Sequence, residues 1–171
     1  MKLLTASALL CALTALTGAA VIPEEWRAQD QVVSVLDKRS ACSAPWNPFN
    51  GRCFRYFPRA MTWAKAERNC QSLGGNLASI HNIEEYHEIQ RLILTTSYGY
   101  KEAWIGGSDA HQEGLWLWTD GSHVSYTNWC PGEPNNSRGR QHCMQMNFSD
   151  EKCWDDLSCG ERRPFVCAKR I

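Results

Sequence analysis

The chain has 171 residues, enough for one domain of ordinary size with short extensions. Its 18 basic side chains balance its 18 acidic ones, so no global field favours nucleic acid or an anionic membrane. Four of each sign fall in residues 1–39, and the remainder still carries 14 of each.

The opening stretch "MKLLTASALLCALTALTGAA" has a basic start at Lys2, an apolar run, and small residues at Gly18, Ala19 and Ala20. Residues 1–20 therefore read as a secretory signal peptide. The run is short for a membrane span and is broken by Thr and Ser, so no span is expected in the mature chain. Residues 21–39 read as a propeptide or a disordered tail, because "PEEWRAQDQVVSVLDKR" is polar and ends in the dibasic pair Lys38-Arg39. Residues 40–171 form the folded domain, and the expected location is extracellular.

Nine cysteines are present, and Cys11 leaves with the signal peptide. The other eight are Cys42, Cys53, Cys70, Cys130, Cys143, Cys153, Cys159 and Cys167. An even number in a secreted chain implies four disulfides and no free thiol for catalysis.

Along the mature segment, "CSAPWNPFNGRCFRYF" predicts a hairpin turned at Asn50-Gly51. "MTWAKAERNCQSLGG" predicts a helix capped at Thr62, with Trp63, Ala66, Cys70 and Leu73 near one face and a stop at Gly74-Gly75. "NLASIH" reads as a short strand. "NIEEYHEIQRLIL" predicts a second helix, with Asn82 and Glu85 at capping-box spacing and a buried stripe of Ile83, Tyr86, Ile89 or Gln90, and Ile93. His81 and His87 are six apart and poorly spaced to share a ligand. "AWIGGS", "LWLWTDG", "HCMQMNF" and "PFVCAKR" predict strands. Trp116 and Trp118 are expected to pack in the core rather than stack on a ligand. Residues 121–140 lack periodicity and read as a long loop.

Together, "AWIGGSDAHQEGLWLWTDG", "EPN", "CWDDLSC" and the closing "FVC" resemble a C-type lectin-like domain across Cys42 to Cys167. "LGGNLASIH", "HCMQMNF" and "CWDDLSC" are most similar to the soluble fish lectins of the ladderlectin kind and to the type II antifreeze proteins. The resemblance implies an α+β fold with two helices, two small antiparallel sheets and a long irregular ligand-binding loop. It also implies the pairings Cys42–Cys53, Cys70–Cys167, Cys143–Cys159 and Cys130–Cys153.

The same resemblance implies a calcium cage. Calcium is a hard cation that takes six to eight oxygens from carboxylates and amides. Glu133 and Asn135 flank Pro134, where the family carries a cis peptide that points both side chains at one ion. The remaining ligands map onto Gln141, Asp155 and Asp156. The sequence departs from the family pattern twice: Gln141 stands where an acid is usual, and Asp155 where an asparagine is usual. The two departures cancel in charge, since Glu133, Asp155 and Asp156 still supply three acids. An affinity of about 0.1–1 mM is expected for such an extracellular module. An accessory calcium site at Asp109 and Glu113 is expected to be empty or marginal, because Asn136, Gln141 and His142 stand where acids are usual.

In lectins of this kind two sugar hydroxyls coordinate the ion, and each needs one hydrogen-bond acceptor and one donor. Glu133 with Asn135 would serve one hydroxyl, and Gln141 with Asp155 the other. The intact EPN triplet implies a mannose-type preference, ahead of a galactose-type one that the Gln141/Asp155 exchange also permits. One such contact is weak, so useful binding requires repeated ligands or a homo-oligomer. Asn135-Asn136-Ser137 and Asn147-Phe148-Ser149 are glycosylation sequons, and Asn135 is expected to stay unmodified with its amide buried in the cage.

Two other functions compete. Ice binding is the first, although Asp109 and His142 stand where the antifreeze relatives often carry a fifth disulfide. The second is a calcium-free protein-binding domain. An enzyme is not expected: the five histidines show no metalloprotease spacing, and no serine elbow is present.

Overall fold

The computed structural model describes residues 42–171. The segments expected to be a signal peptide (residues 1–20) and a propeptide or tail (residues 21–39) lie outside the described residues.

Asn50 and Gly51 take positive φ values of 46° and 73°, the left-handed pair that a two-residue hairpin turn requires. They join β1 (Asn47–Phe49) to β2 (Arg52–Met61). Helix α1 (Trp63–Ser72) follows Thr62, whose side chain makes no capping bond. The helix buries Ala66, Glu67 and Cys70. The Glu67 carboxylate accepts the Leu77 amide at 2.7 Å, Asn76 Nδ2 at 2.6 Å and Gln71 Nε2 at 2.8 Å. Three donors offset the burial of that acid and tie β3 (Asn76–Leu77) to the helix.

Helix α2 (Ile83–Ser97) begins where Asn82 Oδ1 accepts the Glu85 amide at 2.8 Å. Only half of the expected capping box forms. The Glu85 carboxylate instead accepts the His81 amide at 2.9 Å and Arg52 at 3.0 Å. Tyr86, Ile89, Leu92 and Ile93 are buried, whereas Ile83 is 40% exposed, contrary to the expected stripe. The core ends one turn short of the helix start.

The remaining strands are β4 (Ala103–Ser108), β5 (Leu117–Trp118), β6 (Cys143–Phe148), β7 (Cys153–Leu157) and β8 (Arg163–Arg170). The sheet order is β1-β2-β8-β4-β6-β7, with β3 on β8 and β5 on β4. The two sheets expected from the sequence are joined here, through a parallel pairing of Trp104 on β4 with Phe165 on β8. Gly106 lies at a close backbone approach within β4. A side chain there would have its first carbon 2.5 Å from the Leu77 carbonyl oxygen, which explains a glycine inside a fully buried strand.

Four disulfides brace the domain: Cys42–Cys53, Cys70–Cys167, Cys130–Cys153 and Cys143–Cys159. Cys70–Cys167 spans 97 positions and binds α1 to β8. A loop of that length stabilises by about 4–5 kcal/mol in the chain-entropy account.

Trp154 on β7 is fully buried, with Tyr86, Trp118, Tyr126 and Trp129 edge-on to it at 5.6–6.2 Å. Trp116 packs on Trp129 at 4.8 Å. The tryptophans of "LWLWTDG" thus serve the core, while Leu115 and Leu117 face solvent.

Candidate metal centre

The loop preceding β6 is anchored on β7. The Trp154 amide donates to the Asn128 carbonyl at 2.7 Å, and the Cys130 amide donates to the Trp154 carbonyl at 2.9 Å. With the Cys130–Cys153 bridge, these bonds clamp residues 128–130 beside the start of β7. Three residues further on, the chain has turned back: the Glu133 amide donates to the Cys130 carbonyl at 2.9 Å. The Glu133–Pro134 peptide is cis. Glu133 is thereby brought against Asp155 and Asp156, the residues that follow Trp154.

Glu133, Asp155 and Asp156 each contribute a carboxylate oxygen, and these oxygens lie within 4.8 Å of one another. Asp155 and Asp156 are buried and Glu133 is half-buried. Asp156 uses one oxygen to accept the Asn135 amide at 2.8 Å and the other to accept the Asn136 amide at 2.8 Å. Asn135 Nδ2 donates to Glu133 Oε1 at 2.8 Å. Glu133 Oε2 is buried with no hydrogen-bond partner among the described residues.

Three carboxylates at this range repel one another. Burial, then the charges of Asp155 and Asp156, push Glu133 up to about 7. Asp155 is raised as well, by burial first and by the charges of Asp156 and Glu102, against the lowering bond from Gln145. Such a cluster is one proton or one cation short of balance. Its donor set of hard oxygens fits calcium, and Glu133 Oε2 is an orphaned buried acceptor that a cation would satisfy.

Of the sequence-predicted site residues, Glu133, Asp155 and Asp156 converge, and Asn135 touches Glu133 directly. Asn135 is exposed, not buried as expected. Gln141 is held differently: its Oε1 accepts the Ser137 amide at 2.5 Å, and its own amide donates to Asn136 Oδ1 at 3.0 Å. The second sequon residue, Asn147, is buried with both ends of its amide engaged, donating to Lys101 O at 3.1 Å and accepting from Gln90 at 3.0 Å.

Gln145 was not singled out in the sequence. It is fully buried on β6, opposite Asp155, and donates to Asp155 Oδ2 at 2.7 Å. Its own oxygen accepts Arg163 Nε at 3.1 Å. The signal was an amide between Met144 and Met146 in a largely apolar strand, a position that demands a partner.

A second convergence involves His142, Asp109 and Glu113, whose ligand-type atoms also lie within 4.8 Å of one another. His142 Nδ1 is 3.0 Å from Asp109 Oδ1 and 3.5 Å from Glu113 Oε2.

The family model described as the lectin C-type domain matches residues 59–169. Ladderlectin of Oncorhynchus mykiss is 42% identical over 174 residues, covering 96% of this chain and 92% of that protein. The galactose-specific lectin nattectin of Thalassophryne nattereri is 41% identical over 132 residues, covering 77% of this chain and 82% of that protein. Among solved structures, herring type II antifreeze protein superposes with a TM-score of 0.72 at 37% identity, covering 76% of this chain and 99% of that one.

Proposed function

The chain belongs to the C-type lectin domain family, and on that premise we propose that it is a secreted, calcium-dependent carbohydrate-binding lectin acting in innate recognition of glycans on cells or microbes. The observation that carries this reading is the convergence of Glu133, Asp155 and Asp156, with Glu133 Oε2 left without a donor. Homology supports a lectin, and a non-enzymatic role agrees with the lectin and antifreeze relatives. No helix among the described residues is long and apolar enough to cross a membrane.

Glu133, Asn135, Asp155 and Asp156 would hold the ion, with Gln141 joining through the second lone pair of an oxygen that already accepts from Ser137. Calcium supplies a hard, charged point on which neutral hydroxyl oxygens can be bound in water. The chain's own residues then orient the sugar. Glu133 accepts from the first hydroxyl and the Asn135 amide donates to it. Asp155 accepts from the second hydroxyl, and Gln141 Nε2, which has no partner among the described residues, donates to it. Asp156 holds the loop through the two backbone N–H groups of Asn135 and Asn136. Exposure of Asn135 leaves this face open to a ligand.

The intact Glu133-Pro134-Asn135 triplet favours mannose-type sugars. The inverted Gln141/Asp155 pair keeps galactose close behind, in line with a galactose-specific relative. A single site gives weak contact, so avidity would come from a homo-oligomer or a repetitive glycan. The test is a calcium titration followed by a glycan array, both repeated on Glu133→Ala. Calcium and glycan binding are expected to disappear together, and glycan binding that survives the substitution would refute the mechanism.

The similarity to herring type II antifreeze protein supports a second reading, ice binding. Thermal hysteresis of the pure protein, with and without chelator, separates it from chelator-sensitive agglutination.

A further inference from the structure

We propose that Arg163, which lies outside the cage, is a positioning residue for it: the guanidinium fixes the amide of Gln145, and Gln145 in turn presents Asp155 to the ion. The inference rests on the lectin reading above. Arg163 opens β8, Gln145 lies on β6 and Asp155 on β7. In the sheet order β8-β4-β6-β7, Arg163 reaches across β4 to Gln145.

A glutamine amide can turn end for end at little steric cost, because its oxygen and nitrogen are alike in size. Here the two neighbours forbid the turn. Asp155 Oδ2 takes Gln145 Nε2 at 2.7 Å, and an ionised carboxylate only accepts. Gln145 Oε1 takes Arg163 Nε at 3.1 Å, and a guanidinium only donates and keeps its proton. One amide orientation satisfies both ends. Gln145 is 1% exposed, so water does not substitute for either partner. With its NH2 group held on Oδ2, Asp155 keeps Oδ1 as the oxygen available to a cation and a sugar hydroxyl.

Arg163 is itself placed by two further contacts. Its Nη1 donates to the Arg162 carbonyl at 3.1 Å, and its Nε is shared between Gln145 and Glu102 Oε2, also at 3.1 Å. Glu102 therefore competes with Gln145 for the same N–H.

This sharing lets positioning be told from simple charge. By charge alone, removing a cation near three acids tightens calcium, and removing the Glu102 carboxylate loosens it. Positioning predicts the reverse order. Arg163→Met leaves Gln145 Oε1 buried without a donor and frees the amide to turn. Glu102→Ala gives the Nε–H to Gln145 alone.

The test is a calcium isotherm on the full chain, Arg163→Met, Arg163→Lys and Glu102→Ala. Exchange of the Gln145 side-chain amide protons is followed by NMR in chelator on the same four proteins. Calcium should bind about tenfold more weakly to Arg163→Met, the scale of losing a partner that orients a ligand. Arg163→Lys, which keeps a charged donor, should recover most of that loss, and Glu102→Ala should bind at least as tightly as the unsubstituted chain. The Gln145 amide protons should exchange about tenfold faster in Arg163→Met than in the other three. Calcium binding by Arg163→Met as tight as the unsubstituted chain's, or tighter, would overturn the proposal alone. So would equal amide exchange in all four proteins. An unsubstituted chain that binds no calcium would overturn it together with the lectin reading.

Discussion

Asp156 accepts the backbone N–H of Asn135 at 2.8 Å, tying the last acid of β7 to a loop 21 positions earlier in the chain. Its other oxygen takes the Asn136 amide at 2.8 Å. The acid therefore orients the loop whether or not a cation is present. Asp156→Ala removes two charge-assisted bonds, each worth about 1.5–3 kcal/mol. Amide exchange at Asn135 and Asn136 in chelator should accelerate by about tenfold or more. Unchanged protection at both amides would show that the loop is held by something else.

Glu133→Gln replaces the most strained acid of the cluster with an amide of the same shape. Calcium affinity should fall by at least about tenfold, since one charged ligand is gone. The calcium-free domain should melt no earlier than the unsubstituted one, because like-charge repulsion is relieved. Thermal melts with chelator and with excess calcium check both parts. The calcium-induced rise in melting temperature should shrink, and an undiminished rise would count against Glu133 as a ligand.

Proton linkage follows from the same residue. Glu133 in the folded, calcium-free chain is raised to about 7 from an ordinary value of 4.5. Between those values the folded state holds a proton that the unfolded chain has released. The Glu133 contribution to stability is therefore fully present below the ordinary value and is lost as pH rises to about 7. Calcium requires the ionised carboxylate, so its apparent affinity should rise with pH up to about 7 and then level off. Calcium titrations across this range, in two buffers of different ionisation heat, count the released proton. An affinity flat from about pH 5.5 to 7.5 would contradict the coupling.

Gln145→Leu removes the amide that donates to Asp155 and the oxygen that accepts from Arg163, which keeps Glu102 and the Arg162 carbonyl as partners. The buried acid then loses its amide donor, and stability should drop by about 1–3 kcal/mol. Calcium should restore part of the loss, because the cation takes over the uncompensated charge. Urea unfolding with and without calcium reads both effects.

The two long-range staples should behave differently. Replacing Cys70 and Cys167 by Ala opens a 97-position loop and should remove about 4–5 kcal/mol. Replacing Cys130 and Cys153 opens one of 23 positions and should remove about 3 kcal/mol. The second change should weaken calcium binding more than the first, because it loosens residues 128–130 beside Asp155. Unfolding curves and calcium isotherms on both variants make the comparison.

Much of the fold was legible because local chemistry agreed with it. Asn50-Gly51 marked the first hairpin, Gly74 and Gly75 ended α1, and the apolar runs of β4, β6 and β8 are strands in the structure. Strand β7 was not legible. Cys153, Trp154, Asp155 and Asp156 are four consecutive buried residues, and two adjacent acids give no alternation to read. Those acids are tolerated inside because Gln145 and the loop amides partner them. The link between the sheets rests on one parallel pair, Trp104 with Phe165, a non-local contact that no window of sequence contains. Within the site, the pairing of Glu133 with Asp155 and Asp156 became readable only through the family resemblance. The engagement of Gln141 by Ser137 and the exposure of Asn135 depend on the path of an aperiodic loop.

The most direct test is a calcium isotherm on the purified chain alongside Glu133→Ala, with glycan binding measured on both before and after chelation. The expected result is saturable calcium binding at about 0.1–1 mM, together with glycan binding that chelator abolishes and that Glu133→Ala lacks. Glycan capture that persists in chelator, or in the Glu133→Ala chain, would contradict a shared ion at Glu133, Asp155 and Asp156.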